Sequence, residues 1–237
     1  MSSTKKTARF AGLLYLLVGI TAPIGLMYVP GKLIVPGDAT ATANNILGSE
    51  LLFRLGVVSQ LICPVIFIFL VMVLYRLLEG VNQQQASLMV ILVLVQVPIG
   101  FLNEVNAIAS LVLVRGAVFL SVFNKPQRDA LAMLFLNLHN QGIIVNQMFW
   151  GLWLFPFGLL MWRSAFLPRF LGGWLIINGF AYVAISFTGL LLPSYYNAVS
   201  KIALPALFGE MVVILWLLIM GVKSQPPDNA VSASAHG

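Results

Sequence analysis

The chain has 237 residues, of which 60% are apolar and only 8% are charged. Soluble domains carry about 25% charged residues, so this composition excludes a soluble globular protein. The formal net charge of +6 comes from Lys and Arg residues scattered singly at segment ends. That scatter excludes a nucleic-acid-binding surface and is typical of anchors for lipid headgroups.

Long uncharged runs indicate the architecture. A run of about 18 or more apolar residues predicts a membrane-spanning helix, since roughly 20 residues at 1.5 Å each cross a hydrocarbon core of ~30 Å. Five such runs are residues 10–31, 55–75, 80–103, 130–162 and 170–200, and a sixth, 202–222, is interrupted only by Glu210. The sequence therefore predicts an all-α, polytopic transmembrane helical bundle of six spans.

The ends of the spans are predicted from helix breakers and polar turns. The pair Pro30-Gly31 ends span one, and Asp38 is placed to cap a short surface helix before span two. A polar turn at residues 82–85 separates spans two and three, and a turn beginning at Pro193 closes span five. We expect spans at residues 10–29, 51–78, 86–114, 142–162, 170–192 and 202–222.

The fourth span is predicted to carry a polar extension at its amino-terminal end. As one helix, residues 130–162 would be about 50 Å long, against a hydrocarbon core of ~30 Å. The first half of this segment is rich in Asn, Gln and His. We therefore expect a helical extension, outside the membrane or in its interface, before the span begins at Gly142.

The domain organisation follows from these spans. Residues 1–9 form the amino-terminal segment, residues 10–222 a single six-span membrane domain, and residues 223–237 a polar tail that we expect to be disordered. An even number of spans places both termini on one side of the membrane. The cluster of Lys5, Lys6 and Arg9 predicts that this side is the cytoplasm.

Glycines recur at intervals of seven residues in three of the spans. Seven residues are nearly two helical turns, so the two glycines of each pair lie on one helix face and allow a neighbouring backbone to approach. We predict that these glycines are packing positions. The pairs are Gly12 and Gly19, Gly151 and Gly158, and Gly172 and Gly179.

One stretch of the chain has a distinctive pattern. Residues 149–172 read Phe-Trp-Gly-Leu-Trp-Leu-Phe-Pro-Phe-Gly-Leu-Leu-Met-Trp-Arg-Ser-Ala-Phe-Leu-Pro-Arg-Phe-Leu-Gly. With Ala-Arg-Phe-Ala-Gly-Leu-Leu-Tyr at residues 8–15 and Phe-Arg-Leu-Gly at 53–56, this stretch resembles a bacterial integral-membrane family catalogued as domain of unknown function 4386. The resemblance covers residues 8–222. It implies a multi-pass bacterial membrane protein and supplies no activity, cofactor or catalytic residue. With the apolar spans, it predicts the bacterial cytoplasmic (inner) membrane as the location.

Polar side chains within the spans are the candidate functional residues, because such groups are costly in a bilayer and face the bundle interior. Counted from the predicted span ends, Glu104 and Glu210 lie about 12–15 Å below the outer surface. We therefore expect a single polar pocket that opens outward in the outer half of the bundle. The candidate ligand- or ion-binding residues are Arg54, Asn103, Glu104, His139, Asn146, Gln147, Asn178 and Glu210.

Three interpretations of this pocket stay open. Arg54 could neutralise Glu104 or Glu210 in a structural ion pair, the pocket could bind a small molecule or an ion, or it could be an intramembrane catalytic site acting on lipid or quinone. No motif identifies a reaction, and no paired-His spacing marks a metal site, so we predict no metal and no cofactor.

We favour a non-enzymatic role in small-ligand binding, in sensing or as an accessory subunit. The alternative is a proton- or cation-coupled transporter that uses Glu104 and Glu210. The lipid bilayer is the expected partner, and the oligomeric state stays open.

Overall fold

The computed structural model describes residues 3–222, and most of these residues are helical. In chain order the helices are α1 (Ser3–Pro23), α2 (Val29–Leu33), α3 (Ala39–Gly48), α4 (Glu50–Leu78), α5 (Gln83–Arg115), α6 (Lys125–Leu152), α7 (Leu154–Arg163), α8 (Arg169–Leu191) and α9 (Tyr196–Ile219). A π-helical turn, Ile24–Tyr28, joins α1 to α2, and short 3-10 turns, Val118–Leu120 and Pro193–Tyr195, precede α6 and α9. The tail at residues 223–237, which we predict to be disordered, lies outside the described residues.

Six helical segments of the described chain are long and apolar enough to cross a bilayer. This confirms the predicted six-span, all-α membrane bundle. The segments are Thr4–Leu33, Glu50–Leu78, Gln83–Arg115, Lys125–Arg163, Arg169–Leu191 and Pro193–Ile219.

The bundle has two ends that serve as reference faces. At the amino-terminal face, the guanidinium of Arg9 donates a hydrogen bond of 2.8 Å to the carbonyl oxygen of Ile219. At the distal face, Nε of Arg115 lies 3.7 Å from a carboxylate oxygen of Glu50. The first span runs from the amino-terminal to the distal face, and each following span reverses direction.

Close glycine contacts hold the helices together. A Cβ atom added to Gly158 would lie 2.7 Å from the carbonyl oxygen of Gly172, and one added to Gly151 would lie 2.5 Å from that of Gly179. A Cβ on Gly12 would lie 2.5 Å from a backbone nitrogen of α9. Such distances are too short for any side chain, which confirms that these five glycines are packing positions.

The first span is longer than predicted. The chain stays helical through Pro30 and ends only at Leu33, so the expected stop at Pro30-Gly31 is wrong. Proline lacks an N–H group but is tolerated in the first turn of a helix, and the π-helical turn before α2 places Pro30 in such a first turn.

The sixth span also begins earlier than predicted. The 3-10 turn that starts at Pro193 leads directly into α9 at Tyr196, whereas the sequence suggested a start at residue 202. Pro193 therefore initiates helical structure, as proline can at the first position of a turn. The correction matters because it changes the depth at which Glu210 lies.

The fourth span is a nearly continuous helical rod of 39 residues, Lys125–Arg163, formed by α6 and α7. At 1.5 Å per residue the rod is about 58 Å long, so it extends well beyond a hydrocarbon core of ~30 Å. This confirms the helical extension expected before Gly142. The rod is interrupted at Trp153, three residues before Pro156, because proline cannot donate the hydrogen bond that would continue the helix.

The buried apolar side chains form two separate clusters. One lies toward the amino-terminal face and includes Leu74, Met89 and Phe157; the other lies toward the distal face and includes Ile46 and Leu111. Between the clusters is a layer of polar side chains, which we call the polar layer. Its members are Thr21, Ser59, Gln60, Gln96, Asn103, Glu104, His139 and Asn146.

Each of the first three spans contains a proline at about the depth of the polar layer, and α9 contains Pro205. Pro64 is in the interior of α4 and Pro98 in the interior of α5, while Pro23 ends α1 just before the π-helical turn. Each proline leaves the carbonyl oxygen one turn earlier without its usual helical donor.

Candidate functional site: two buried carboxylate centres

The first centre is a hydrogen-bonded pair between α5 and α6. Nε2 of His139 lies 2.8 Å from Oε1 of Glu104, and both side chains are largely shielded from solvent. The amide of Asn103 donates a bond of 2.9 Å to the carbonyl oxygen of His139, which fixes α6 against α5. A Cβ on Gly142 would collide with the side-chain amide of Asn103, so glycine at 142 makes room for that amide between the two helices.

A small cavity of about 40 Å³ adjoins this pair. Its walls are mainly apolar and come from the π-helical turn and from α2, α4, α5 and α6. Glu104 and His139 supply the polar end, and Gln60 is the other polar side chain on its wall. The residues that build most of the apolar wall are Gly25, Val29, Leu33, Phe53, Ala107 and Leu136.

The π-helical turn shapes this cavity. A Cβ on Gly25 would lie 2.4 Å from Cγ of Gln60 and 2.8 Å from the carbonyl oxygen of Gly56. Glycine therefore lets the turn press against α4, and the extra residue per turn displaces the following helix. Single π-helical turns of this kind recur at functional sites.

Arg54 does not belong to this centre. Its guanidinium binds the carboxylate of Glu50, with Nε and an Nη atom 2.8 and 2.7 Å from Oε1. Both side chains are partly exposed at the distal face, one turn apart on α4. The ion pair between Arg54 and Glu104 or Glu210, one of the three interpretations drawn from the sequence, is therefore wrong.

The second centre surrounds Glu210 on α9. The hydroxyl of Tyr15 on α1 donates a hydrogen bond of 2.5 Å to Oε2 of Glu210, and the amide of Asn178 on α8 donates one of 3.2 Å to Oε1. Tyr182, one turn from Asn178, lies beside this carboxyl group. Two donors, one from α1 and one from α8, thus bind Glu210, and the ring of Trp153 lies 6.0 Å from that of Tyr15.

The two carboxyl groups lie in different halves of the bundle. Glu210 is nine residues from the end of α9 at Ile219, about 14 Å from the amino-terminal face. Glu104 is eleven residues from the end of α5 at Arg115, about 16 Å from the distal face. The expectation that both share one outward pocket is therefore wrong, and the earlier start of α9 is the reason.

The remaining predicted residues lie between or beside the two centres. Asn146 is close to Gly100, where a Cβ would lie 3.7 Å from Nδ2 of the asparagine. The amide of Gln147 lies 3.5 Å from the hydroxyl of Tyr196 at the start of α9. Both amide groups have an oxygen that is buried and has no hydrogen-bond partner among the described residues.

Sequence reasoning missed Tyr15 and Tyr182 as partners of Glu210. A signal existed, because a tyrosine in the middle of an apolar span needs a partner for its hydroxyl when it is buried. Tyr15 also lies between Gly12 and Gly19, the close-packing positions of its helix. For metal binding, residues 3–222 contain no group of three or more His, Cys, Asp or Glu side chains that could hold an ion.

Fold and centres together define a six-span helical membrane protein with two buried carboxyl groups at different depths. The sequence profile of a family described as "Domain of unknown function (DUF4386)" matches residues 10–221, nearly the whole chain, and the chain belongs to this family. Searches of curated proteins and of solved structures give no match.

Proposed function

We propose that the protein is a non-enzymatic ligand-binding protein of the membrane and that its site is the cavity at Glu104 and His139. The observation that carries this proposal is a buried carboxylate–imidazole pair at the end of a mainly apolar cavity between the π-helical turn and four α-helices. Sites for small molecules combine apolar walls with a few placed polar groups in this way.

The chemistry of the cavity suggests what the ligand presents. His139 is the hydrogen-bond partner of Glu104 among the described residues, so the carboxylate has capacity to accept a further bond from an amine or a hydroxyl group. The volume of about 40 Å³ limits the enclosed part to a head group and a few carbon atoms. We infer a narrow amphipathic molecule that enters head first, with its apolar remainder toward the lipid.

A thermal-shift series on the purified protein in detergent tests this proposal. Hexylamine, hexanol and hexanoate have the same chain and different head groups. The amine should raise the melting temperature most, the alcohol less, and the carboxylate not at all, because it is repelled by Glu104. Glu104→Gln should remove the advantage of the amine over the alcohol.

Two substitutions of the same kind on α5 test whether the ligand binds in the cavity. Ala107→Leu fills the cavity and should abolish the response to both ligands, while Ala109→Leu makes the same change on α5 away from the cavity and should preserve it. Equal shifts in the original protein, Glu104→Gln and Ala107→Leu would show that the additives act through the detergent and would end the proposal.

Proton- or cation-coupled transport is the second candidate function. The observation in its favour is the position of Glu104 and Glu210 in opposite halves of the bundle, since ionisable groups inside spans are typical of ion and proton pathways. In proteoliposomes, Glu210→Gln should abolish flux driven by a pH gradient. A flux that persists unchanged in this variant would exclude Glu210 as the coupling group.

For the location, we propose the bacterial cytoplasmic membrane with both termini in the cytoplasm. Lys5, Lys6 and Arg9 at the amino-terminal face support this orientation, because Lys and Arg near span ends favour the cytoplasmic side. We also propose that residues 10–222 form one domain, supported by the packing of α1 against both α4 and α9.

A further inference from the structure

Buried amide atoms that have no hydrogen-bond partner among the described residues lie between the two carboxyl centres. Gln96 on α5 is 3% exposed, and neither its amide nitrogen nor its amide oxygen has a hydrogen-bond partner among the described residues. Asn178 is fully buried, and its Oδ1 is likewise unpartnered, as is Oδ1 of Asn146. Leaving such groups unpaired costs about 1–3 kcal/mol each, so buried polar groups in proteins are paired with protein or with ordered water.

The antiparallel packing of α5 against α6 places these groups at successive turns along the two helices. Asn103 contacts His139 and Gly142, and one turn further along, Gly100 faces Asn146. The same antiparallel register puts Gln96 level with Trp150 at the next turn. Gln96 is therefore about 12 Å from Glu104 along α5, toward the second centre.

The row continues across to α8. The ring of Trp150 meets that of Tyr182 edge to face, with centroids 5.9 Å apart. Tyr182 lies beside Glu210. Asn178 binds the same carboxyl group through its amide nitrogen, and its oxygen has no hydrogen-bond partner among the described residues. Buried amide groups thus lie at intervals between Glu104 and Glu210.

We propose that Asn146, Gln96 and Asn178 hold a file of buried water molecules that joins the Glu104–His139 pair to Glu210, and that protons pass between the two carboxyl groups along this file. A buried water typically makes about three hydrogen bonds to groups that lack protein partners, which is what these three amides offer. The inference deepens the second candidate function, because it supplies the route that a proton-coupled transporter needs, and it requires no ligand in the Glu104 cavity.

The proposed proton transfer conserves protons and bonds. When Glu210 carries a proton, its O–H bond breaks as the first water accepts that proton. Each water in the file accepts one proton and passes one on, and the last donates to the carboxylate of Glu104. One acid group has lost a proton and the other has gained one, with no other bond changed.

X-ray radiolysis of the full chain in detergent tests the file directly, since hydroxyl radicals formed from internal water oxidise the side chains beside it. Trp153 and Tyr15 are the reporters, because they are 1% and 2% exposed and bulk water does not reach them. We expect both to be oxidised in the original protein. Gln96→Leu should lower their oxidation by at least about threefold, because a leucine cannot hold the waters.

Two controls make the outcome decisive. Gln84→Leu makes the same change at an exposed position of α5 and should leave the oxidation of both reporters unchanged, and Tyr195, 62% exposed, should be oxidised equally in all variants. If Gln96→Leu lowers the yield of folded protein, Asn146→Leu is the second variant, with the same expected loss.

Radiolysis, proton flux and the thermal-shift series distinguish the water file from net transport and from ligand binding. Absence of oxidation at Trp153 and Tyr15 in the original protein, or oxidation that neither Gln96→Leu nor Asn146→Leu reduces, would overturn the file. Oxidation that falls in these variants while proteoliposomes show no proton flux would support the file and reject net transport. The thermal-shift response to hexylamine stays independent of both.

Discussion

Glu210 illustrates how much one residue depends on partners that are far away in sequence. Its carboxyl group is held by Tyr15, which precedes it by 195 residues, and by Asn178 on a neighbouring span. A buried carboxyl group without such donors would be costly in a low-dielectric interior. These hydrogen bonds therefore explain how the bundle accommodates Glu210.

At this scale we predict the effect of removing one donor. Tyr15→Phe deletes the hydroxyl that binds Glu210 and leaves the ring contact with Trp153. Because a hydrogen bond to a carboxyl group is lost in a buried site, the free energy of unfolding should fall by about 1.5–3 kcal/mol. Reversible unfolding in mixed detergent and SDS measures this change.

The matched control is Tyr28→Phe, which removes the same hydroxyl from a residue that is 56% exposed and whose side chain makes no hydrogen bond to any described residue. It should change the unfolding free energy by less than about 0.5 kcal/mol. Equal effects of the two substitutions would show that the bond between Tyr15 and Glu210 does not contribute to stability.

The sequence predicts which residues belong to the candidate sites more readily than which of them contact one another. Polar residues inside apolar spans stand out, so Glu104, His139 and Glu210 were found as candidates. Their partners depend on the rotation and depth of helices that only tertiary packing sets. The sequence offers Arg54 as an ion-pair partner for Glu104 or Glu210, yet Glu50, one turn earlier on the same helix, binds it at the surface.

Among the elements, α6 and α7 pack on α8 through two glycine crossings. Gly151 meets Gly179, and seven residues further along, Gly158 meets Gly172. In a membrane no hydrophobic force draws helices together, so close backbone approach supplies much of the packing energy. The seven-residue spacing predicted these contact positions, but it could not say which helices they join.

We predict that filling one crossing separates the two helices. In Gly158→Ile the new Cβ would lie 2.7 Å from the carbonyl oxygen of Gly172, a backbone atom that cannot turn aside. The unfolding free energy should fall by about 2–3 kcal/mol through overpacking. Gly48→Ile is the control, because nothing lies within 4 Å of the corresponding position in α3, and it should cost less than about 1 kcal/mol. Similar losses in both variants would contradict the role of the crossing.

Two of the element ends that the sequence misplaces involve proline. Pro30 and Pro193 were interpreted as helix stops, but both lie in the first turn of a helical element, where the missing N–H group costs nothing. A proline can therefore end or begin a helix, depending on the conformation of the turn that precedes it. The π-helical turn after Pro23 is set by packing of Gly25 on α4, which leaves no mark in the local sequence.

For the whole molecule, the number of spans followed directly from the sequence because the length of an apolar run is a local property. Orientation rests on a small excess of Lys and Arg at one face, and so it needs a direct test. In a chain with Cys63→Ser, Val118→Cys places a thiol at a distal-face position that is 92% exposed. Gly80→Cys places one at the amino-terminal face.

If both termini are cytoplasmic, a membrane-impermeant maleimide added to intact expressing bacteria should label Val118→Cys. Gly80→Cys should react only after the cells are permeabilised. After purification, the mass shift of each variant measures how much of its thiol has been labelled. Labelling of Gly80→Cys in intact cells with protection of Val118→Cys would reverse the proposed orientation.

The polar layer and the three prolines near its depth have a mechanical consequence. Helices bend most easily where proline removes a backbone hydrogen bond, and Pro23, Pro64 and Pro98 provide such points in three adjacent spans. Bending at that depth breaks few apolar contacts, because the two apolar clusters lie on either side of it. We therefore expect the bundle to bend most easily at mid-depth, where each half can tilt while keeping its own core intact.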